Sequence, residues 1–152
     1  MHKYTKIGII VLVIGLGLFV SYFAVSFQLF TSHLVSNHVT IPPLGKYSIQ
    51  YPAGRLVTII YNSSSPLDVI NVPSNAYTSS TPQGEAIGFY STSAGNITFV
   101  NPHPSYVTLY YQMTSFPTSE LALLGILVII GIAALIAGIV LIVIGIIKGR
   151  KR

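Results

Sequence analysis

The chain has 152 residues, 51% of them hydrophobic and only 7% charged, with a formal net charge of +5. A soluble domain carries about 25% charged residues, so this composition excludes an ordinary cytosolic protein. Cys is absent, which excludes a disulfide framework, Cys-ligated zinc, an iron–sulfur cluster, c-type haem attachment and thiol catalysis.

In chain order, residues 1–6 form a short basic segment carrying Lys3 and Lys6. The uncharged run Ile7 to Phe30 follows and predicts a transmembrane helix over 7–30. At 1.5 Å per residue it reaches about 36 Å, enough to cross a hydrocarbon core of about 30 Å. A cleaved signal peptide is the alternative. The basic start fits it, but the run exceeds the usual apolar stretch of about 7–15 residues. It also ends in no A-x-A site, Ala24-Val25-Ser26 being the nearest approach. No Lys-Gly or Arg-Gly pair precedes the run, as a prepilin-type signal would require.

Residues 31–119 read as a β domain. Runs rich in β-branched and aromatic residues recur at Lys46–Tyr51, Arg55–Tyr61, Leu67–Val72, Glu85–Ser91, Asn96–Val100 and Tyr106–Met113, with a weaker one at His38–Ile41. Turn clusters separate them: Pro52-Ala53-Gly54, Asn62 to Pro66, Thr81-Pro82-Gln83-Gly84, Ala94-Gly95-Asn96 and Asn101 to Pro104. Short strands at that spacing predict an all-β antiparallel sandwich or barrel. Its fixed charges, Lys46, Arg55, Asp68 and Glu85, cancel. So few carboxylates leave little charge to titrate in acid, which is compatible with an acid-living, archaeal-like host.

A second uncharged run from Leu121 to Ile147 predicts a transmembrane helix over 120–147. It reaches about 40 Å. Glu120 in the first turn suits the helix dipole, with Thr118 or Ser119 as cap. Lys148, Arg150, Lys151 and Arg152 make a basic tail over 148–152. Six of the eight Lys and Arg residues thus flank the outer ends of the spans. The positive-inside rule then places both termini in the cytoplasm and 31–119 outside a plasma membrane. The basic tail reads as an anchor, not a nucleic-acid site.

Candidate sites are few. His2, His33, His38 and His103 show no metal-ligand spacing, and His33 and His38 are expected in a solvated stalk. Asp68 and Glu85 are expected on separate strand edges, which is poor material for general acid–base work. One arrangement stays open, in which folding brings His103 to Asp68 or Glu85. No catalytic, metal or cofactor residue is predicted. Asn62-Ser63-Ser64 and Asn96-Ile97-Thr98 are glycosylation sequons, which makes Asn62 and Asn96 candidate acceptors and the chain a candidate glycoprotein. Asn62 is expected in a polar turn and Asn96 at a strand start. In the spans, Gly8 and Gly15 are seven apart, as are Gly131, Gly138 and Gly145, with Ala134 on the same seam. Small residues let helices approach closely in lipid, so these six residues predict helix packing. Antiparallel spans would set Gly8 against Gly145, Gly15 against Gly138 and Tyr22 against Gly131. The seam could equally join neighbouring protomers.

Ser64 to Val69, then Gly95-Asn96-Ile97-Thr98-Phe99-Val100-Asn101, then Val107-Thr108-Leu109-Tyr110 resemble the late strands of small jelly-roll-like sandwiches of the GOLD type. There, a Gly opens a strand ending in Phe-x-Asn and a final aliphatic strand follows. The resemblance covers about 50 residues by that pattern alone. The chain lacks the disulfide of many animal members and adds an N-terminal span that they lack after processing. The resemblance implies a role in protein–protein contacts.

The expected function is therefore a non-catalytic, membrane-anchored structural or accessory subunit. Its partners would be the bilayer and a membrane or envelope protein, with a homo-oligomer as one form of that assembly and no nucleic acid. A cell surface and the virion envelope of an archaeal host fit equally. The alternative is a receptor-like module that captures an external ligand, glycan or cargo in a concave, aromatic-lined pocket.

Overall fold

Two helices bracket eight strands. Helix α1 covers Lys3–Ser32 and α2 covers Thr118–Arg150. Between them run β1 (Leu34–Ile41), β2 (Lys46–Tyr51), β3 (Arg55–Ser63), β4 (Asp68–Ile70), β5 (Tyr77–Thr81), β6 (Gly84–Ser91), β7 (Gly95–Val100) and β8 (Val107–Pro117). The computed structural model describes residues 3–150, so His2, Lys151 and Arg152 lie outside the described residues. The helices form one compact unit and Phe30–Thr118 a second.

Both helices run past the uncharged stretches. They take in Lys3 and Lys6 at one end, and Lys148 and Arg150 at the other. Pro117 ends β8 one residue before α2 begins, where its missing N–H costs nothing. Both helices are long and apolar enough to cross a membrane. Their outward side chains are bare aliphatics and aromatics, among them Ile10, Phe27 and Ile129.

The buried helix residues are all glycines: Gly8, Gly15, Gly131, Gly138 and Gly145. A Cβ added to Gly8 would stand 2.8 Å from the Ile142 nitrogen, and one on Gly138 2.8 Å from that of Leu12. One on Gly15 would stand 2.9 Å from the Leu135 nitrogen and 3.1 Å from the Ala134 Cβ. Gly145 meets Thr5. The facing positions fall as steadily on one helix as they rise on the other, so the pair is antiparallel. This register corrects the pairing of glycine with glycine expected above. Gly8 faces Ile142, Gly138 faces Leu12, and Gly131 faces Leu18 and Phe19 rather than Tyr22. Two opposed glycines would leave a void, whereas a larger residue opposite each notch fills it. At the open end of the hairpin, Lys148 Nζ lies 4.8 Å from the centroid of the Tyr4 ring.

The strands form two antiparallel sheets. Sheet A has the order β1-β8-β3-β6-β5 and sheet B the order β2-β7-β4. The sequence β1-β8-β3-β6 set beside β2-β7-β4 is the winding of an eight-stranded jelly roll, except that β5 joins β6. The cause is local. Thr81 pairs with Gly84 across the two-residue turn Pro82-Gln83, which leaves no length to cross to sheet B. Gly84 has φ +141°, and a side chain there would run into the Tyr61 carbonyl.

Alternate positions of both sheets supply the core: Ile41, Ile49, Val57, Ile59, Ile87, Phe89, Ile97, Phe99 and Leu109 are buried together. Three aromatic pairs cross between the sheets. Tyr51 meets Phe89 edge-on at 4.8 Å and Tyr61 meets Phe99 likewise at 4.9 Å. Tyr47 and Tyr111 make the third pair at 6.0 Å. Such edge-to-face contacts contribute about 0.5–1.5 kcal/mol each beyond burial. One fully buried polar residue closes the far end. Asn101 Nδ2 donates to the carbonyls of Ile41 (3.2 Å), Pro42 (3.0 Å) and Ser105 (2.7 Å), while its Oδ1 accepts from the His103 N–H at 2.9 Å.

Three expectations change. The stalk is strand: β1 starts at Leu34, one residue after α1, so only His33 separates helix from sheet. Leu67–Val72 shortens to Asp68–Ile70, because Asn71 turns the chain with φ +62°. Strand β5, Tyr77-Thr78-Ser79-Ser80-Thr81, has no counterpart among the predicted strands.

Candidate functional site

The register assigns each side chain of the strand unit to a face. On sheet B the outward positions are mostly polar, with Val100 and the 42% exposed Ile70 as the apolar exceptions. Lys46 and Asp68 flank Val100 in one row, followed by Ser48 beside Thr98 and Gln50 beside Asn96. Ser48 Oγ and Thr98 Oγ1 share a hydrogen bond of 2.8 Å.

Sheet A differs. Its outward positions carry no Asp, Glu, Lys or Arg along any of the five strands. At the end where the chain enters and leaves, Leu34, Leu56, Tyr77, Tyr90 and Phe116 face outward. Leu56 is 43% and Tyr77 73% exposed. Phe116 stacks on Phe30, with centroids 6.3 Å apart, and takes the edge of His33. Thr58, Gly88 and Thr114 keep the middle of the face low, and a shallow groove of about 330 Å³ runs between Phe30, Leu34, Ile60 and Phe116.

The other half of this face is polar and aromatic. His38, Tyr110 and Asn62 stand in one row across β1, β8 and β3. His38 stacks on Tyr110, with centroids 6.0 Å apart and planes 27° apart. A second groove of about 380 Å³ lies over this row, lined by Ser36, Asn37, Asn62, Gln83, Tyr110 and Gln112 among others. The turn Pro82-Gln83 reaches it because Gly84 sits against Tyr61.

Asn62 therefore lies within β3, paired with Tyr110, and not in a turn. It remains exposed, its Oδ1 accepting from the Ser63 N–H at 2.8 Å. Asn96 is the second residue of β7 and is exposed on sheet B, its Oδ1 3.4 Å from Asn71 Nδ2. The six helix-packing residues lie in the other unit.

The titratable groups stay dispersed. His103 Nε2 donates to the Pro66 carbonyl at 2.7 Å, Glu85 takes the Ser80 hydroxyl at 2.9 Å, and Asp68 opens β4 on the other sheet from Glu85. No hydrogen bond joins His103 to either carboxylate. Among the described residues, no three His, Asp or Glu side chains converge as metal ligands. Two tyrosines are perturbed. The hydrogen bond to Tyr111, then burial, pushes Tyr47 up to about 12. Burial, then the Glu85 charge, raises Tyr61.

Neither groove is signalled by a motif. Their residues come from three strands, β1, β3 and β8, with Phe30 and Gln83 added, and only the register collects them. No protein-family model matches the chain, and no curated protein matches it.

Proposed function

We propose that the chain is a two-span membrane protein that displays its sandwich outside, as a non-catalytic contact domain of a larger membrane or envelope assembly. Both termini lie in the cytoplasm in this reading, because six of eight basic residues flank the outer ends of the helices. The observation that carries the contact role is the asymmetry of the two outer faces. Sheet B presents Lys46, Asp68 and amides around Ile70, whereas sheet A presents Leu34, Leu56, Tyr90 and Phe116 with no fixed charge. Exposed apolar surface rimmed by polar residues marks protein contact sites. The partner in this reading is a membrane or envelope protein.

The test places a photocrosslinking residue at Leu56 in native membranes, with the same residue at Ser48 on sheet B as control. A discrete adduct from position 56 and none from 48 supports the reading. Equal labelling from both faces, or none from either, overturns it. Protease added to intact cells checks the orientation: cleavage confined to 31–119 is expected, and loss of a C-terminal tag contradicts it.

A further inference from the structure

We propose that Asn62 carries an N-linked glycan whose first sugar lies across Tyr110 and fills the groove beside it. The inference rests on the outward placement of the sandwich proposed above and adds a modification and its seat.

Four observations carry it. First, Asn62 is exposed and its Oδ1 is held by the Ser63 N–H, while its Nδ2 makes no hydrogen bond among the described residues. Second, its cross-strand neighbour on the same face is Tyr110, 56% exposed and braced from behind by His38. A pyranose has one face of C–H bonds, and a fixed aromatic ring is the surface on which that face packs. Third, the groove of about 380 Å³ has the size of a small-ligand site. Fourth, its lining is neutral. Ser36, Gln83 and Gln112 line it, and their side chains make no hydrogen bond among the described residues. Sugar hydroxyls, which both donate and accept, match hydroxyl and amide groups of this kind.

Asn96 is exposed as well, but it has no such seat. It sits on the polar sheet beside Gln50, with Asn71 at 3.4 Å and no aromatic ring in its row. The modification needs a lipid-linked sugar phosphate as glycosyl donor. A bond forms from Asn62 Nδ2 to the sugar C1, the C1–O bond to phosphate breaks, and the lipid phosphate leaves with the amide proton. In the folded chain, Ser64 Oγ accepts from the Thr108 N–H at 2.9 Å. Transfer therefore precedes pairing of β3 with β8.

The test synthesises the full chain into N-glycosylating microsomes. A glycosidase-sensitive mass shift is expected, lost in N62Q and retained in N96Q. Removing the glycan should lower the melting temperature of the parent chain but leave that of Y110A unchanged. A shift lost only in N96Q, or an equal fall in Y110A, overturns the proposal. So does an unshifted chain whose 31–119 segment is protected from added protease, an outcome that leaves the topology standing. An unprotected segment overturns both, since Asn62 would never meet the transferase. An unshifted chain that binds free chitobiose saturably makes the groove a receptor site instead.

Discussion

The hydroxyls of Tyr47 and Tyr111 meet 3.0 Å apart, one from each sheet. This hydrogen bond, with burial added, holds Tyr47 protonated up to about 12, above the usual tyrosine value of about 10. The folded state thus keeps a proton that the unfolded chain gives up. The resulting stabilisation is complete below pH 10 and is lost as pH rises from about 10 to about 12. Burial raises Tyr61 as well, so both residues act in the same direction. Alkaline unfolding of the sandwich should begin in that window. Tyr47→Phe should flatten the pH dependence while lowering stability at neutral pH. A tyrosinate absorbance titration of that variant checks the assignment: it should lose a late-titrating group, and an unchanged curve would refute it.

Asn101 ties together the end of β1, the loop before β8 and its own strand end, its two amide hydrogens shared among three carbonyls and its Oδ1 accepting one bond. Each such bond contributes about 1 kcal/mol, and an unsatisfied buried carbonyl costs about 1–3 kcal/mol. Asn101→Leu has similar volume but no polar atoms. We expect it to destabilise the sandwich by about 3–4 kcal/mol. Chemical denaturation followed by tyrosine fluorescence measures this, and a loss below about 1 kcal/mol would show that water replaces the amide.

How much of this was legible depended on burial. Strands β2, β3, β6 and β8 alternate more and less buried positions, β7 buries Ile97 to Phe99 in a run, and the β-branched and aromatic residues of all five announce them. In β1 only Ile41 is buried, so the signal is confined to the weak run His38–Ile41, and Leu34 to Asn37 join the strand because β8 offers an edge. The Ser and Thr of β5 have no apolar pattern, and a two-residue turn decides their state. The candidate faces were illegible for another reason. Leu56, Tyr90 and Phe116 lie far apart in the chain, and only pairing of β6 and β8 with β3 lines them up.

Leu56 gives that alignment a direct test. It projects from the middle strand of sheet A between Phe116 and Tyr90. Because it is 43% exposed, Leu56→Lys should leave folding nearly intact, within about 0.5 kcal/mol. A lysine at the centre of an apolar contact should cost the complex about 2 kcal/mol or more, because its charge would be buried without a partner. Size-exclusion chromatography of the membrane complex in mild detergent should show loss of the partner from this variant and its retention in Ser48→Lys. Retention in both would remove sheet A from the interface.

The glycines of the helix pair supply the sharpest ranking. Gly→Ala within a helix gains about 1 kcal/mol in propensity wherever the methyl group has room. Gly17 and Gly125 have nothing within 4 Å of the new Cβ, and at Gly131 the nearest atom is 3.7 Å away. At Gly8 and Gly138 the nearest atoms are backbone or near-backbone at 2.8 Å, and backbone cannot swing aside as a side-chain tip can. Gly17→Ala and Gly125→Ala should therefore be neutral or slightly stabilising, and Gly131→Ala nearly neutral. Gly8→Ala and Gly138→Ala should force the helices apart at a cost of about 1–3 kcal/mol, as overpacking does. Thermal unfolding of the full chain in detergent, followed by helical circular dichroism, sorts the five variants. If Gly138→Ala behaves like Gly17→Ala, the helices do not pack along this seam. If Gly138→Ala alone is harmful and Gly8→Ala is benign, the glycine of α2 meets a partner other than Leu12 of its own chain.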